Sequence, residues 1–377
     1  MFFPPAFQIL WLGVLAGAGW GAALRALGRA GIDGRAILEL DRLPAGRGGG
    51  GGGGDGSARL AALVGGVVAA GWALGAWAAP AQRPAVALGT YVGVAAVLAL
   101  PRRTAFHVTR RQLGALLGRV AWPSLRAPVY LADVVMADVL TSCARPLAGL
   151  APVACEFAAA LSGGGGGGGS PRTCPAGGAA AAVVLGAAPF AFRLRQCVNE
   201  MLKAPAGGPD ARRHMANAAK YALAFPALAL GARQQQARAQ AQSGAAPGRG
   251  LWIAASAANS LYSLYWDVAF DWDLGHAPGG WRLADLVARA ERPDPPPPGQ
   301  RRAFPLLLRP RLGLGPPALY YAAVALDLAL RLAWVASLGP AGRAEYADFW
   351  LAALELYRRW QWTVLRIERE AVAGGAQ

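Results

Sequence analysis

The sequence predicts an all-α, polytopic bundle of transmembrane helices, and three observations carry the prediction. The 377-residue chain is 55% hydrophobic and only 15% charged, with a mean hydropathy of +0.30, which is too apolar for an ordinary water-soluble domain. Apolar runs of about 20 residues recur along it, the length a helix needs to cross roughly 30 Å of hydrocarbon. Arg and Lys are sorted unequally between the loops that join those runs, as membrane topology requires.

Taken in order, the runs place spans at 6–24, 60–79, 85–100, 128–149, 178–194, 216–232, 250–271, 316–338 and 346–366. The third is short and the last is amphipathic, so the expected number is about nine, within a range of eight to ten. The first run follows Met1-Phe2-Phe3-Pro4-Pro5 with no basic segment before it and continues to full spanning length. It is expected to be a retained helix, not a cleaved signal peptide. Residues 1–110 form an N-terminal group of helices with a polyglycine loop at 48–54, and residues 111–377 form the core bundle. Low-complexity stretches at 163–169, 233–249 and 293–302 interrupt the core. Gly, Gln/Ala/Arg and Pro tracts bury little apolar surface, so they are expected to be linkers outside the membrane.

The loops at 25–59, 101–126, 195–213 and 272–311 hold 6, 6, 4 and 7 basic residues, whereas those at 80–84, 151–177, 233–249 and 339–345 hold 1, 1, 3 and 1. This alternation places the N-terminus outside or in a lumen and the C-terminus in the cytosol. The net charge of +16 is almost wholly Arg, Lys203 and Lys220 being the only lysines. No zinc-finger spacing, recognition helix or ribonucleoprotein motif accompanies that charge, so no nucleic-acid partner is expected. Cys143, Cys155, Cys174 and Cys197 show neither a C-x-x-C spacing nor a neighbouring His pair, and read first as small buried hydrophobes, with a disulfide as the alternative. No metal site, cofactor or catalytic group is read from the sequence.

Function is written in the charges inside the spans. An ionised side chain in the bilayer core costs about 2.5–3.5 kcal/mol even on mild insertion scales, so its default location is a polar site within the bundle. In the seventh span Asn259, Ser263, Asp267 and Asp271 follow at four-residue steps and share one helical face. In the last, Glu355, Arg358 or Arg359, Trp362 and Arg366 repeat that pattern. Asp138, Thr141 and Ser142 form a smaller polar face in the fourth span, with Asp133 on another side. Arg213, Asn217 and Lys220 line the start of the sixth, and Arg331 and Trp334 lie one turn apart in the eighth. In a chain so rich in Arg, a retained Lys220 suggests a compact or proton-exchanging ammonium.

Plain structural readings stand beside these. Glu355 with Arg359, and Asp327 with Arg331, are i,i+4 pairs that can simply hold helices together. Asp271 can be a solvated helix end, and Trp266, Trp272, Trp360 and Trp362 can be interfacial belt aromatics. His107, His214 and His276 are most simply solvated. None of this accounts for the excess of in-span cations: Arg193, Lys220, Arg331, Arg358, Arg359 and Arg366 outnumber the acids available to them. Such a surplus wants an anion. Guanidinium forks match phosphate or carboxylate oxygens, and nearby acids keep the site from binding too tightly for release.

The chain resembles the EXS domain of phosphate exporters, shared by the xenotropic and polytropic retrovirus receptor, plant phosphate-efflux proteins and the yeast ER-retention-defective protein. The resemblance rests on an ordered set of strings: Phe3 to Ile9; Asp133 with Asp138 to Ser142; Arg193 to Cys197; Asn217 to Tyr221; Asn259 with Trp266-Asp267 and Asp271-Trp272; Arg331 to Trp334; and Leu354-Glu355 with Arg358, Arg359, Trp362, Arg366 and Glu368. It implies a helical membrane protein that moves inorganic phosphate. The phosphate path would be lined by Asp138, Thr141, Arg193, Lys220, Tyr221, Asp267, Asp271, Arg331, Trp334, Glu355, Arg358 and Arg359. Thr141 stands where members often have Asn, and Asp273 where Gly is usual. No segment precedes the first span, so the SPX domain that senses inositol pyrophosphates in longer members is not expected, nor is that regulation. Compact endomembrane members of the family, which return lumenal phosphate to the cytosol, are the implied model, so a Golgi membrane is expected ahead of the plasma membrane. A homodimer is compatible with the sequence.

Two other readings are carried. Asp267-x-x-x-Asp271 resembles half of the Mg²⁺-diphosphate site of an intramembrane prenyltransferase, although Asp133 and Asp138, five apart, diverge and supply no second half. A non-transporting membrane protein that retains Golgi enzymes through its basic loops is the other.

Overall fold

The computed structural model describes residues 3–43, 55–99, 106–122, 127–162, 176–239, 248–276, 282–286, 307–339 and 346–374. These residues are helical apart from turns, connecting segments and one isolated β-bridge between His276 and Arg282. The helices are α1 (Pro5–Arg29), α2 (Gly34–Ile37), α3 (Asp55–Trp77), α4 (Arg83–Ala99), α5 (His107–Ala121), α6 (Leu131–Ser142) and α7 (Ala144–Leu161). They continue with α8 (Ala176–Lys203), α9 (Pro209–Ala222), α10 (Ala224–Ala239), α11 (Arg249–Trp266), α12 (Pro317–Arg331) and α13 (Ala347–Ala373). Proline sits in the first turn of α1, α9 and α12, where its missing N–H costs nothing and its fixed φ favours the helix.

Five stretches of the described helices are long and apolar enough to cross a membrane: Pro5–Arg29, Gly56–Trp77, Ala144–Leu161, Gly178–Lys203 and Pro317–Leu338. The other expected spans are shorter, broken or more polar. The run at 128–149 is not one helix, because α6 stops at Ser142 and α7 begins at Ala144; the run at 216–232 likewise splits into α9 and α10 at Leu223. The cause is the same in both places. Pro146 and Pro226 have no N–H for the carbonyls of Ser142 and Ala222 four residues earlier, and their rings crowd those carbonyls. Each helix therefore yields three residues before its proline.

Two further helices change pitch. After Trp266 the chain enters a π turn over Asp267–Asp271, in which the Trp272 N–H donates to the Asp267 carbonyl at 2.8 Å. After Arg331 the eighth expected span closes as a 3-10 segment, Ala333–Leu338. The Gln/Ala/Arg tract, expected to be a linker from residue 233, begins as helix: α10 runs through Ala239. Ala, Gln and Arg are strong helix formers, and that propensity outweighs their low apolarity. The polyglycine stretches at 48–54 and 163–169, the remainder of the tract at 240–247 and the proline-rich stretch at 293–302 lie outside the described residues. Helix α5 falls in a stretch expected to be loop; it buries Leu116 and Val120 in the core, and its Arg119 pairs with Asp133 in the first turn of α6. Cys143 and Cys197 are free thiols, Cys197 buried and Cys143 partly so, but Cys155 is disulfide-bonded, which is the alternative and not the first reading of these cysteines.

Charged side chains are buried inside the bundle while large apolar ones stand on its outside. Leu74, Val184, Leu251 and Trp77 are exposed, Trp77 to 91%, while Asp138, Arg193, Lys220, Asp267, Asp327 and Arg358 are buried. That inversion is what a lipid solvent selects. The core beneath the charges packs Leu24 and Leu27 of α1, Val135 of α6, Trp272, Tyr320 of α12 and Trp362 of α13. Helix α1 lies against α3, α7 and α13, and Gly19 makes the last of these contacts close. A Cβ there would fall 1.7 Å from Cε2 of Trp360, so the indole lies on the bare backbone.

Gly19→Val is expected to destabilise the detergent-solubilised protein by about 2 kcal/mol, the ordinary cost of overpacking. Gly13→Val, where no atom lies within 4 Å, should leave the thermal midpoint unchanged, and Trp360→Ala should restore part of the Gly19→Val loss. Equal midpoints for the Gly13 and Gly19 variants would show that the close approach is unimportant.

Candidate functional site: a charge network between broken helices

The charged side chains form two tiers, and the end of α6 lies beside both. The first tier lies between α6, α8 and α9. Asp138 sits in the last turns of α6, where the Tyr221 hydroxyl of α9 donates to its Oδ1 at 2.7 Å and the Arg193 Nε of α8 donates to the same oxygen at 3.0 Å. Arg193 Nε also donates to the Tyr221 oxygen at 3.0 Å, its guanidinium lies 4.7 Å from the Tyr221 ring centroid, and its Nη1 donates to Gln196 Oε1. Asp138 Oδ2 is buried with no hydrogen-bond partner among the described residues. Thr141 turns its hydroxyl back onto the Asp138 carbonyl at 2.7 Å, a local bond that Thr at a helix end readily makes.

The second tier lies between the π turn, α12 and α13. Arg358, 2% exposed, donates through Nε and Nη2 to the two oxygens of Glu355 at 2.8 and 2.6 Å, and through Nη1 to Asp327 at 3.0 Å. The same Nη1 lies 3.5 Å from Asp267 Oδ2. Arg331 donates to Asp327 at 2.8 Å and is ion-paired with Asp267. Both guanidiniums thus share Asp267 and Asp327, and the forked donor geometry of Arg suits such sharing. Ser142, at the end of α6, ties Glu355 to Arg359: its hydroxyl donates to Glu355 Oε1 at 2.7 Å and accepts from Arg359 Nε at 3.0 Å.

Two cations stand apart. Arg359, 7% exposed, is held by hydroxyls, Ser142 and Thr141 at 3.0 and 3.3 Å, and lies 4.8 Å over the Trp362 ring. It makes no ion pair with a carboxylate among the described residues. Lys220, also 7% exposed, has Asp271 Oδ2 at 3.8 Å, beyond hydrogen-bond reach, and otherwise faces the Tyr221 and Trp266 rings at 4.6 and 5.4 Å. A buried cation without a full partner is costly unless something else neutralises it.

The structure sorts the plain readings. The Asp327–Arg331 pair forms, but Glu355 pairs with Arg358 three residues on, not with Arg359, because Arg359 is turned toward α6. Trp266, Trp272 and Trp362 are fully buried, so they are not belt aromatics. Asp271 is no solvated helix end: it accepts from Trp362 Nε1 at 3.2 Å. Asp267 and Asp271 engage different partners, Arg331 and Arg358 for the first and Trp362 for the second, with Lys220 and Arg366 each 3.8 Å from Asp271, and Asp133 is taken by Arg119 at 2.7 Å. Trp334 lies beside the second tier, its indole N–H donating to Ser260 at 3.1 Å.

Sequence reading passed over several participants. Ser260 links the Trp334 indole to the Arg331 carbonyl, at 3.1 Å on each side, and its spacing of four from Ser256 was a legible signal. Asp327, read only as the i,i+4 partner of Arg331, is shared by both arginines. Arg309, in the connection before α12, is ion-paired with the fully buried Glu368 and donates to the Trp272 carbonyl. Glu368 Oε1 further accepts from the Gly313 N–H at 2.6 Å and the Tyr320 hydroxyl at 2.8 Å. This clasp fixes the exit of the π turn against α12 and α13. Nothing in the local sequence around Arg309 announces it.

The family model described as the EXS family matches residues 3–372. The chain is 28% identical to the protein called ERD1 homolog 1 of Schizosaccharomyces pombe, over 70% of this chain and 62% of that one. It is 28% identical to phosphate transporter PHO1 of Arabidopsis thaliana, over 73% of this chain and 31% of the relative. It is 26% identical to the xenotropic and polytropic retrovirus receptor 1 homolog of Xenopus laevis, over 72% and 36%. The chain therefore spans less than two thirds of the length of each of these relatives.

The clasp makes a stability prediction. Glu368→Met alone should cost about 3–5 kcal/mol by stranding the buried Arg309 charge, whereas the double change Arg309→Met with Glu368→Met should be milder than the single one. Thermal midpoints of the two variants in detergent check this. A double variant less stable than the single would show that the pair is not a closed unit.

Proposed function

Because the chain belongs to the EXS family, we propose that it moves inorganic phosphate across a membrane, with Lys220 and Arg359 as the groups that receive the anion. One observation carries the proposal. Both cations are buried, Lys220 lies against the Tyr221 ring of the first tier and Arg359 against Thr141 and Ser142 at the end of α6, and neither has a carboxylate within hydrogen-bond reach among the described residues. An oxyanion between them would supply the missing negative charge. Its oxygens would accept from Lys220 Nζ and from the guanidinium N–H groups that Ser142 and Thr141 leave unused.

The rest of the network serves the same reading. Asp138, Asp267, Asp327 and Glu355 hold Arg193, Arg331 and Arg358 in fixed positions and moderate the field, so that an anion is bound but can leave. Tyr221 and Thr141 add neutral hydrogen bonders, Trp334 borders the second tier, and Asp271 moderates Lys220. The split helices place two chain breaks beside the site, the arrangement by which membrane proteins bring backbone ends to a buried polar ligand. A Golgi or other endomembrane location and a cytosolic C-terminus belong to the proposal; the uneven distribution of basic residues between loops supports the orientation. Part of the support is borrowed from the relative named a phosphate transporter.

Arg359→Gln and Lys220→Gln are expected to abolish efflux of radiolabelled phosphate from reconstituted vesicles, by about 10²-fold or more, while leaving the size-exclusion profile and helix content unchanged. Arg119→Gln, in an ion pair away from the site, should transport nearly normally. Normal flux in both site variants would reject the assignment.

A further inference from the structure

The orphaned oxygen of Asp138 points to a selectivity device. Asp138 is 2% exposed, and its two carboxylate oxygens are used unequally. Oδ1 accepts two hydrogen bonds, from Tyr221 and Arg193, while Oδ2 is buried with no donor among the described residues. A buried acceptor left without a donor has lost its hydration with nothing in return. The groups around it make the asymmetry informative. Arg193, Lys220 and Arg359 all act on the Asp138 charge, yet none of the last two donates to it; they remain available to an anion.

We propose that Asp138 Oδ2 accepts a hydrogen bond from the protonated oxygen of the transported anion, so that the site takes tetrahedral oxyanions that carry a hydrogen and refuses those that do not. This rests on the proposed phosphate site and names how that site discriminates. Near neutral pH phosphate and arsenate retain at least one hydrogen, whereas sulfate and selenate carry none. The bare oxygens of the cargo meet Lys220 and Arg359, and its P–OH meets Asp138. Sulfate in the same place would set an oxygen lone pair against a buried carboxylate, with no proton between two negative groups. Tyr221 and Arg193 hold Oδ1 from two other helices, so the carboxylate cannot rotate freely to turn an engaged edge toward the anion. A site built around a ligand's hydrogen rejects the analogue that lacks it by far more than size alone allows, because the rejected ligand leaves the acceptor unpaired. Charge and size do not separate phosphate from sulfate; the hydrogen does.

The test uses the intact chain in vesicles. Phosphate efflux should be inhibited by arsenate but unaffected by a hundredfold excess of selenate or sulfate, and direct sulfate flux should lie at least about 10²-fold below phosphate flux. In Asp138→Asn the side-chain amide can donate to a bare oxygen, so the ratio of phosphate to sulfate flux should fall by at least about tenfold, with Asp138→Glu keeping the ratio even if both fluxes drop. Equal inhibition by arsenate and selenate in the unaltered protein would overturn the proposal without needing any variant, and so would an Asp138→Asn protein that loses both fluxes in proportion. Absence of phosphate flux from the unaltered protein would instead strike the phosphate reading itself.

Discussion

The bundle depends on how it neutralises Arg358. This guanidinium is almost wholly buried and is met by Glu355 on its own helix, by Asp327 on α12 and, at 3.5 Å, by Asp267 at the start of the π turn. A lone charge in that position would cost several kcal/mol, so the three acids and the elements that carry them are obliged to gather around it. Arg331 then fits on the other side of the same two aspartates. Charge balance, more than shape, sets where α12 and α13 stand relative to the end of α11.

Around that fixed tier the helices are broken where the site needs polar reach. Prolines split α6 from α7 and α9 from α10, and the π turn lets Asp267 and Asp271 serve separate partners across the bundle. π turns within α-helices are often associated with functional sites, since the inserted residue re-aims side chains at a cost in backbone geometry. Here it sends one carboxylate to the arginine tier and leaves the other by Lys220 and Trp362. Ser142, the last residue of α6 before the break, then couples Arg359 to Glu355. The helix end is what frees that hydroxyl's surroundings for two side-chain partners.

Much of this could be read before any coordinates. Composition and run length gave an all-helical membrane protein, because a backbone in hydrocarbon must satisfy its own hydrogen bonds. Four-residue spacing of Asp, Glu and Arg showed which faces turn inward, since charge in lipid is unaffordable without company. Pro146 and Pro226 also advertised the two helix breaks, although a search for uninterrupted apolar runs passes over them. Helix α5 was hidden by its charge: Arg110, Arg111 and Arg119 read as loop, yet Leu116 and Val120 bury one side.

The sequence by itself determined the class of fold, the inward position of the charges and the surplus of Arg and Lys over acid, because burial and helical periodicity are local properties of the chain. Partner choice was decided only in three dimensions. Glu355 could have taken Arg359 by spacing alone, but takes Arg358, since Arg359 is claimed by the hydroxyls at the end of α6. Arg309 meets Glu368 across 59 residues of chain, and Asp138 has one oxygen filled by α8 and α9 and the other without a donor among the described residues. Which cation keeps its charge uncompensated depends on the distances between helices that are remote in sequence. Coulomb and hydrogen-bond energies fall off over a few ångströms, and only packing sets those distances.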